Sequence, residues 1–532
     1  MTAIAIIARQ LGFAPVGHDP VFNEIDATYA TGRHALVGRN GSGKSLLARV
    51  LADELAPTQG HVTRHMDIAY LPQRWTSFTG SVASALRLDD KLDALRRIEA
   101  GSTDPMDFHV LGDDWSVRER ARHWLDDAGP PNDLARPWAS LSGGERVRLR
   151  LAQMFALAHH FLILDEPGNH LDQCGHRWLR ERLAAHTGGY LLVSHDRHLL
   201  ADVESIDELS PRGLRRHGGS YASYAAHRET ESQAAERQLD QARREHRALE
   251  QRQQQERQRL TQRQQKAGRE RANANMPTIL LDRRKQRSQD TGARLLAAQR
   301  AQRARLLAHV LQAREHVDMH RVHRFDLGHQ AATHASLQLE GAIPPHGHDQ
   351  PIDLHLTPGK RLHLHGDNGS GKSSLLAAIS GHRPLRAGRI RRGKRTLLID
   401  QYCSLLRDAQ SALDNLQRLS PGHTPTHYRD YLAGIGLRGE RADLPAGTLS
   451  GGERMKLALL ALDSATEPYD LLLLDEADSH LDLDSRALLE QALASYRGTL
   501  VLVSHDPALV AATRIDKELR LHKPLAPITP GR

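Results

Sequence analysis

Two eight-residue stretches recur 328 positions apart: Gly38, Arg39, Asn40, Gly41, Ser42, Gly43, Lys44 and Ser45, then Gly366, Asp367, Asn368, Gly369, Ser370, Gly371, Lys372 and Ser373. In each, the glycines let backbone N–H groups converge on phosphate oxygens. The lysine reaches the outer phosphates, and the serine hydroxyl suits a Mg²⁺ ion. The chemistry this points to is binding of a nucleoside triphosphate. Each stretch follows a short run, His34–Gly38 or Leu362–Gly366, that reads as a strand giving way to a helix. One such match arises by chance in a glycine-rich turn. Two at matched places, each followed by the same later residues, do not.

Those later residues form a repeated series. Leu141, Ser142, Gly143, Gly144 and Glu145 return 308 positions on as Leu449, Ser450, Gly451, Gly452 and Glu453. The apolar run Phe161–Leu164 with Asp165 and Glu166 returns 310 positions on as Leu471–Leu474 with Asp475 and Glu476. Ser194, His195 and Asp196 return, also 310 on, as Ser504, His505 and Asp506. Gln73 to Leu141 is 68 positions and Gln401 to Leu449 only 48, so the first half carries about 20 extra residues near Leu88–Trp115. Asp89, Asp90, Asp104, Asp107, Asp113 and Asp114 make that insertion acidic; it reads as a surface insertion, either a plain one or a short arm suited to a protein contact.

Positioning such a series takes an α/β scaffold. Four-residue apolar runs such as Leu471–Leu474 read as buried parallel strands, and strands alternate with helical stretches in both halves. The fold class is α/β: two tandem P-loop domains, residues 1–217 and 326–532, joined by an antiparallel α-helical hairpin over 218–325. Residues 226–272 are rich in Gln, Arg, Glu and Ala and predict one long helix; 293–318 predict the return helix, and 273–292, with Pro277 and Gly292, the tip. No run approaches the 18 apolar residues of a membrane span, and Met1–Ile7 reads as a first strand rather than a signal peptide. Cys174 and Cys403 have no metal-ligand spacing and fit a reducing compartment, hence a cytoplasmic protein.

The net charge of +8 is concentrated. Residues 231–320 hold 20 Lys and Arg against 11 Asp and Glu; the rest of the chain holds 52 against 53. The basic segment contains no Phe, Tyr or Trp. It suits phosphate contact rather than base stacking.

Phosphate loop, glutamine loop, Leu-Ser-Gly-Gly-Glu, strand-terminal Asp-Glu and Ser-His-Asp, in this order and twice over, resemble the ATP-binding cassette. Tandem cassettes, a linker of about 100 residues and the run Asp165–Asp172 resemble the ABC-F proteins, many of which act on ribosomes. The resemblance implies head-to-tail closure of the two cassettes over two ATP molecules, with Mg²⁺, in a monomer. One site would join Lys44, Ser45, Gln73, Asp165, Glu166 and His195 to Ser450, Gly451 and Gly452. The other would join Lys372, Ser373, Gln401, Asp475, Glu476 and His505 to Ser142, Gly143 and Gly144. Ser45, Asp165, Ser373 and Asp475 would serve the metal, Glu166 and Glu476 the attacking water, and His195 and His505 the γ-phosphate.

The resemblance also implies a partner: the ribosome, through rRNA and P-site tRNA, met by residues 231–320. The DNA-binding or ribosome-assembly ATPase is the alternative, though relatives with DNA roles tend to carry an added C-terminal coiled coil and here 27 residues follow His505. The ATPase subunit of a membrane transporter is the third reading. The chain departs from the family at Gly168, where Thr is usual, and at Ala477, Asp478 and Ser479. Phe13 or Phe22 is the candidate to stack on adenine in the first half; residues 341–356 offer only His346, His348 and His355.

Overall fold

Apolar runs buried on both faces become the central strands of each half. In the first, Phe161–Asp165 and Tyr190–Val193 are buried at every residue. They lie in a six-stranded sheet, in the order Ile68–Leu71, Phe161–Asp165, Tyr190–Val193, Arg33–Gly38, Ser205–Ser210, Gly213–Gly218. The first five are parallel and the last pair is antiparallel. The second half builds a wholly parallel five-stranded sheet, Thr396–Asp400, Leu471–Asp475, Thr499–Val503, Arg361–Gly366, Lys517–Leu521. The computed structural model describes residues 3–15, 17–73, 78–130, 132–169, 171–272, 301–312, 325–329, 336–479 and 481–523.

Register places the chemistry. Asp165 lies opposite Val193, and Asp475 opposite Val503. Glu166 and Ser194, or Glu476 and Ser504, therefore leave their sheet side by side at the carboxyl ends of the strands. Gly38 and Gly366 end their strands at the same edge. The carboxyl edge of a parallel sheet is where such folds bind ligands.

A three-stranded antiparallel sheet forms a second layer in each half: Phe22–Ala30, Ile4–Phe13 and Gln59–Arg64, then Ile352–Leu356, Leu337–Ile343 and Ala387–Arg391. Ile6, Tyr29, Leu47 and Phe161 fill the first core between the layers. Leu339, Leu364, Leu376 and Leu473 fill the second.

The insertion near Leu88–Trp115 is helical. It folds as two helices, Asp89–Glu99 and Pro105–Leu111, whose Leu92, Leu95 and Leu111 pack with Trp124 and Leu125 of the helix Val117–Ala128. Two of its acids are ion-paired: Asp107 with Arg97 at 2.6 Å, and Asp114 with Lys91 at 3.0 Å and with Arg120. Asp104 caps the second helix through Met106 N–H. Leu88, Leu92 and Leu95 stand one helical turn apart, so the apolar face outweighs the acidic composition.

Two compact units result, Met1–Tyr221 with Val322–Arg532, and Ala222–Arg321. Helix Tyr221–Ala272, 52 residues long, supplies most of the second unit. Residues 301–312 are helical as well. Val310 packs on Ala235, Leu239 and Ala242, and Arg303 pairs with Glu250 at 3.0 Å. The later residue meets the earlier partner, so the two stretches run antiparallel. The tip at 273–292 lies outside the described residues.

Candidate active site

Both phosphate loops turn through glycines in the left-handed region. Gly43 has φ 94° and Gly371 φ 98°, each immediately before the helix that begins at Lys44 or Lys372. At Gly371 a Cβ would lie 2.4 Å from the His346 carbonyl oxygen, so only glycine fits. The first-turn N–H groups of each helix are thereby left facing outward. Lys44 donates to the carbonyls of Gly38 and Arg39 at 2.9 and 3.0 Å, and Lys372 to those of Gly366 and Asp367 at 2.7 and 3.3 Å. Burial lowers both ammonium pKa values, against the pull of Glu166 and Asp482 on Lys44 and of Glu476 and Asp475 on Lys372.

The Asp-Glu pair ends its strand in a strained turn. Glu166 has φ 50° and Glu476 φ 48°, unusual for a side chain with a Cβ. Their N–H groups donate to the Val193 and Val503 carbonyls, which holds each turn against the neighbouring strand. Oε1 of Glu166 stands 3.7 Å from His195 Nε2, and Glu476 repeats the distance to His505. Burial pushes the Asp165 carboxyl up to about 6, opposed by the Ser45 hydroxyl and Lys44. Burial does the same to Asp475, opposed by Ser373. Glu166 is pushed up to about 7, by burial first and Asp165 second, while Lys44 and Arg486 draw it down. Burial lowers the His195 imidazole well below its ordinary value, so the ring is neutral near pH 7; His505 is also lowered by burial.

The signature is also a helix cap. Ser142 accepts from Glu145 N–H at 3.2 Å while the Glu145 carboxylate accepts from Ser142 N–H at 2.7 Å. Ser450 and Glu453 repeat the exchange at 3.3 and 3.0 Å. Reciprocal capping explains why serine and glutamate stand three apart around two glycines.

One cavity of about 900 Å³ brings the halves together. Ser142, Gly143 and Gly144 line it, and so do Asn368, Gly369, Gly371, Lys372, Ser373, Gln401, Glu476 and His505. Glu166 and Asp196 of the first half and Asp478, Arg486 and Asp506 of the second line it as well. The first phosphate loop meets the second half differently. Asn40 N–H donates to Asp482 at 3.1 Å, and Arg39 pairs with Asp484 at 3.4 Å. The other Asp482 oxygen caps the helix Leu483–Ser495 and lies beside Gly452, where a built Cβ would stand 3.8 Å from it. Asp482 thus joins the first loop to the second signature. Gln73 is exposed and lines no part of this cavity. Phe22 is buried against Gly43, and His346 lines the cavity beside the second loop.

The departures have local causes. At Gly168 a Cβ would come 2.9 Å from the His176 ring, whose Nδ1 stands 2.9 Å from Asp196. Asp478, in the corresponding place, instead accepts from the Ser504 hydroxyl at 2.9 Å. Sequence reasoning did not single out Asp482, Asp484, Arg486 or His176. The signal was there: Asp172 and Asp482, like His176 and Arg486, are 310 apart.

The sequence pattern of the ABC transporter family matches residues 23–169 and 350–479. Over 506 residues the chain is 32% identical to the probable ATP-binding protein YheS of Escherichia coli O6:H1, which covers 90% of this chain and 73% of that one. The chain belongs to this family, in its tandem-cassette ABC-F branch. This ABC-F protein is also 30% identical over 548 residues to the tylosin resistance ATP-binding protein TlrC of Streptomyces fradiae, covering 91% and 92% of the two chains. It is 29% identical over 515 residues to the ATP-binding protein Uup of Escherichia coli K12, covering 90% and 74%. The archaeal ribosome recycling factor aABCE1, solved in complex with the ribosomal stalk protein aP1, shares the fold at TM-score 0.56 and 15% identity, over 96% and 87% of the two chains. As an ABC-type ATPase the protein hydrolyses ATP. Among the described residues no helix is long and apolar enough to cross a membrane.

Proposed function

We propose that this ATPase closes its two cassettes on two ATP molecules to drive an action on the ribosome, in translation, relief of stalling or protection from an antibiotic. The observation that carries the ribosome reading is the charge distribution. A segment with a net charge of +9 and no aromatic residue lies in a chain otherwise near neutral. Such a segment favours a phosphate-lined partner. The tylosin-resistance relative and the fold shared with a ribosome recycling factor agree with it.

In the proposed mechanism Lys44 and Lys372 hold the outer phosphates, with the signature helix of the opposite cassette contributing its N-terminal N–H groups. The donor set fits Mg²⁺: the Asp165 and Asp475 carboxylates are buried at their strand ends, each beside a loop serine hydroxyl, Ser45 or Ser373. With Ser45 and Ser373 these carboxylates would hold the ion, which would neutralise phosphate charge. Glu166 or Glu476 takes a proton from water as its oxygen bonds to the γ-phosphorus. The bond to the β,γ-bridging oxygen breaks, and its electron pair leaves with ADP. His195 and His505 hold the γ-phosphate in line.

The test is charge removal at the tip. Replacing Arg283, Arg284, Lys285 and Arg287 by Ala should weaken binding to ribosomes and flatten its salt dependence, with basal ATPase unchanged. An unaltered salt slope would sink the phosphate-contact reading.

A further inference from the structure

We infer that the two cassette interfaces are unequal: ion pairs hold the one at the Lys44 site together as a hinge, and the one at the Lys372 site opens first to exchange nucleotide. This rests on the reading above that the cassettes close over two ATP molecules. Three contacts cross from the first cassette to the helix Leu483–Ser495 and its cap. Asn40 N–H donates to Asp482 at 3.1 Å, Arg39 pairs with Asp484 at 3.4 Å, and Arg197 Nη1 pairs with Glu490 at 2.7 Å. Arg197 follows His195 by two positions, so it stands on the Lys44 side. Its pair with Glu490 is mostly withdrawn from water, the side chains being 19% and 18% exposed. The guanidinium also lies over the Tyr221 ring, 5.8 Å from Cζ to the ring centre, which limits its freedom to leave Glu490. The Arg39 side chain is 52% exposed, so solvent and salt screen its pair and Arg197 carries most of the hold.

The internal repeat tells which of these contacts the other interface can copy. By the 328- and 310-residue spacings, Asn40 and Asp482 correspond to Asn368 and Asp172, the same residue types. That bond is open to both interfaces. The ion pairs are not. Arg39 and Asp484 correspond to Asp367 and Cys174, and Arg197 and Glu490 to Pro507 and Arg180. Neither couple brings opposite permanent charges together. Arg180 pairs instead with Asp202 of its own cassette at 2.9 Å, and Arg180 and Pro507 both line the cavity beside Lys372. A hydrogen-bonded charge pair withdrawn from water acts mainly on the rate at which an interface parts. The side that has such a pair parts last, and nucleotide in the Lys44 site is held longer than nucleotide in the Lys372 site.

The experiment uses the full chain with Glu166→Gln/Glu476→Gln and one donor–acceptor dye pair across each interface. The protein is closed with Mg-ATP and then diluted into buffer without nucleotide. Energy transfer should decay first on the Lys372 side and later on the Lys44 side. Arg197→Ala and Glu490→Ala should each speed the Lys44-side decay by at least about tenfold, the effect of truncating one partner of a close interfacial charge pair, and leave the Lys372 side as it was. The exchanged pair, Arg197→Glu with Glu490→Arg, should slow the decay again, which a merely packing role would not allow. Equal decay on the two sides of the parent, an unmoved Lys44 side in both Ala variants, or equal acceleration of both sides overturns the inference. No ATP-dependent transfer across either interface, with ATP binding confirmed, would instead overturn the closure reading itself. If an Ala variant does not fold, Glu490→Gln, which keeps the size and removes the charge, decides by the same criterion.

Discussion

Asp482 serves two partners, and two substitutions separate them. One oxygen accepts from Ser485 N–H at 2.9 Å and caps a 13-residue helix. The other accepts from Asn40 N–H at 3.1 Å, across to the first cassette. Burial raises the carboxyl pKa, but these N–H groups and the Ser485 hydroxyl hold it below the usual range, so the group is an anion near pH 7. Asp482→Ala removes both contacts. Loss of the cap costs about 1 kcal/mol, or a fall in Tm of about 2–4 °C for a unit of roughly 200 residues. Loss of the charge-assisted bond to Asn40 costs about 1.5–3 kcal/mol, in the closed state alone. Closure should therefore weaken about ten- to a hundredfold. Asp482→Asn keeps the cap, because asparagine is as good an N-cap, and removes only the charge. It should leave Tm nearly unchanged and still weaken closure. The assays are thermal unfolding, and ATP-dependent energy transfer between labelled cassettes in the Glu166→Gln/Glu476→Gln background. Equal loss of Tm in both variants, or undiminished closure in both, would refute the reasoning.

In the Glu476→Gln background, turnover should rise as pH increases through about 7, because Glu166 must lose its proton to act as a base and burial beside Asp165 holds its pKa there; a profile flat from pH 6 to 8 would contradict it. Leu95→Ala, in the insertion, should cost about 2–5 kcal/mol in denaturant unfolding, since Leu95 is buried in the helical core; a cost under about 0.5 kcal/mol, as at a surface site, would contradict that packing. Leu239→Ala should loosen the second unit, where Leu239 packs near Val310, and limited proteolysis should cut it faster there; an unchanged pattern would mean the two helical stretches do not hold each other.

The most legible features were those where chemistry restricts residue type. A loop that wraps phosphate needs glycine at positive φ, as Gly43 and Gly371 have, and no other residue fits against His346. Ser142 and Glu145 were legible twice over, because the spacing that marks the signature is also that of a capping box. The packing of the insertion was not legible in its composition: its aspartates mask the spacing of Leu92 and Leu95, which enter the helical core. Asp482 and Arg486 were not legible as site residues. Asp482 meets Asn40, more than 400 positions away, and Arg486 shares a cavity with Glu166 of the other half; no local pattern encodes the packing of one half on the other.

The most direct test is co-sedimentation of the Glu166→Gln/Glu476→Gln double variant with ribosomes, with and without Mg-ATP. The variant should bind ATP without cleaving it and so hold the closed state. The account predicts association that depends on ATP. Absence of association, with ATP binding confirmed, would contradict it and leave the basic segment to another acidic partner.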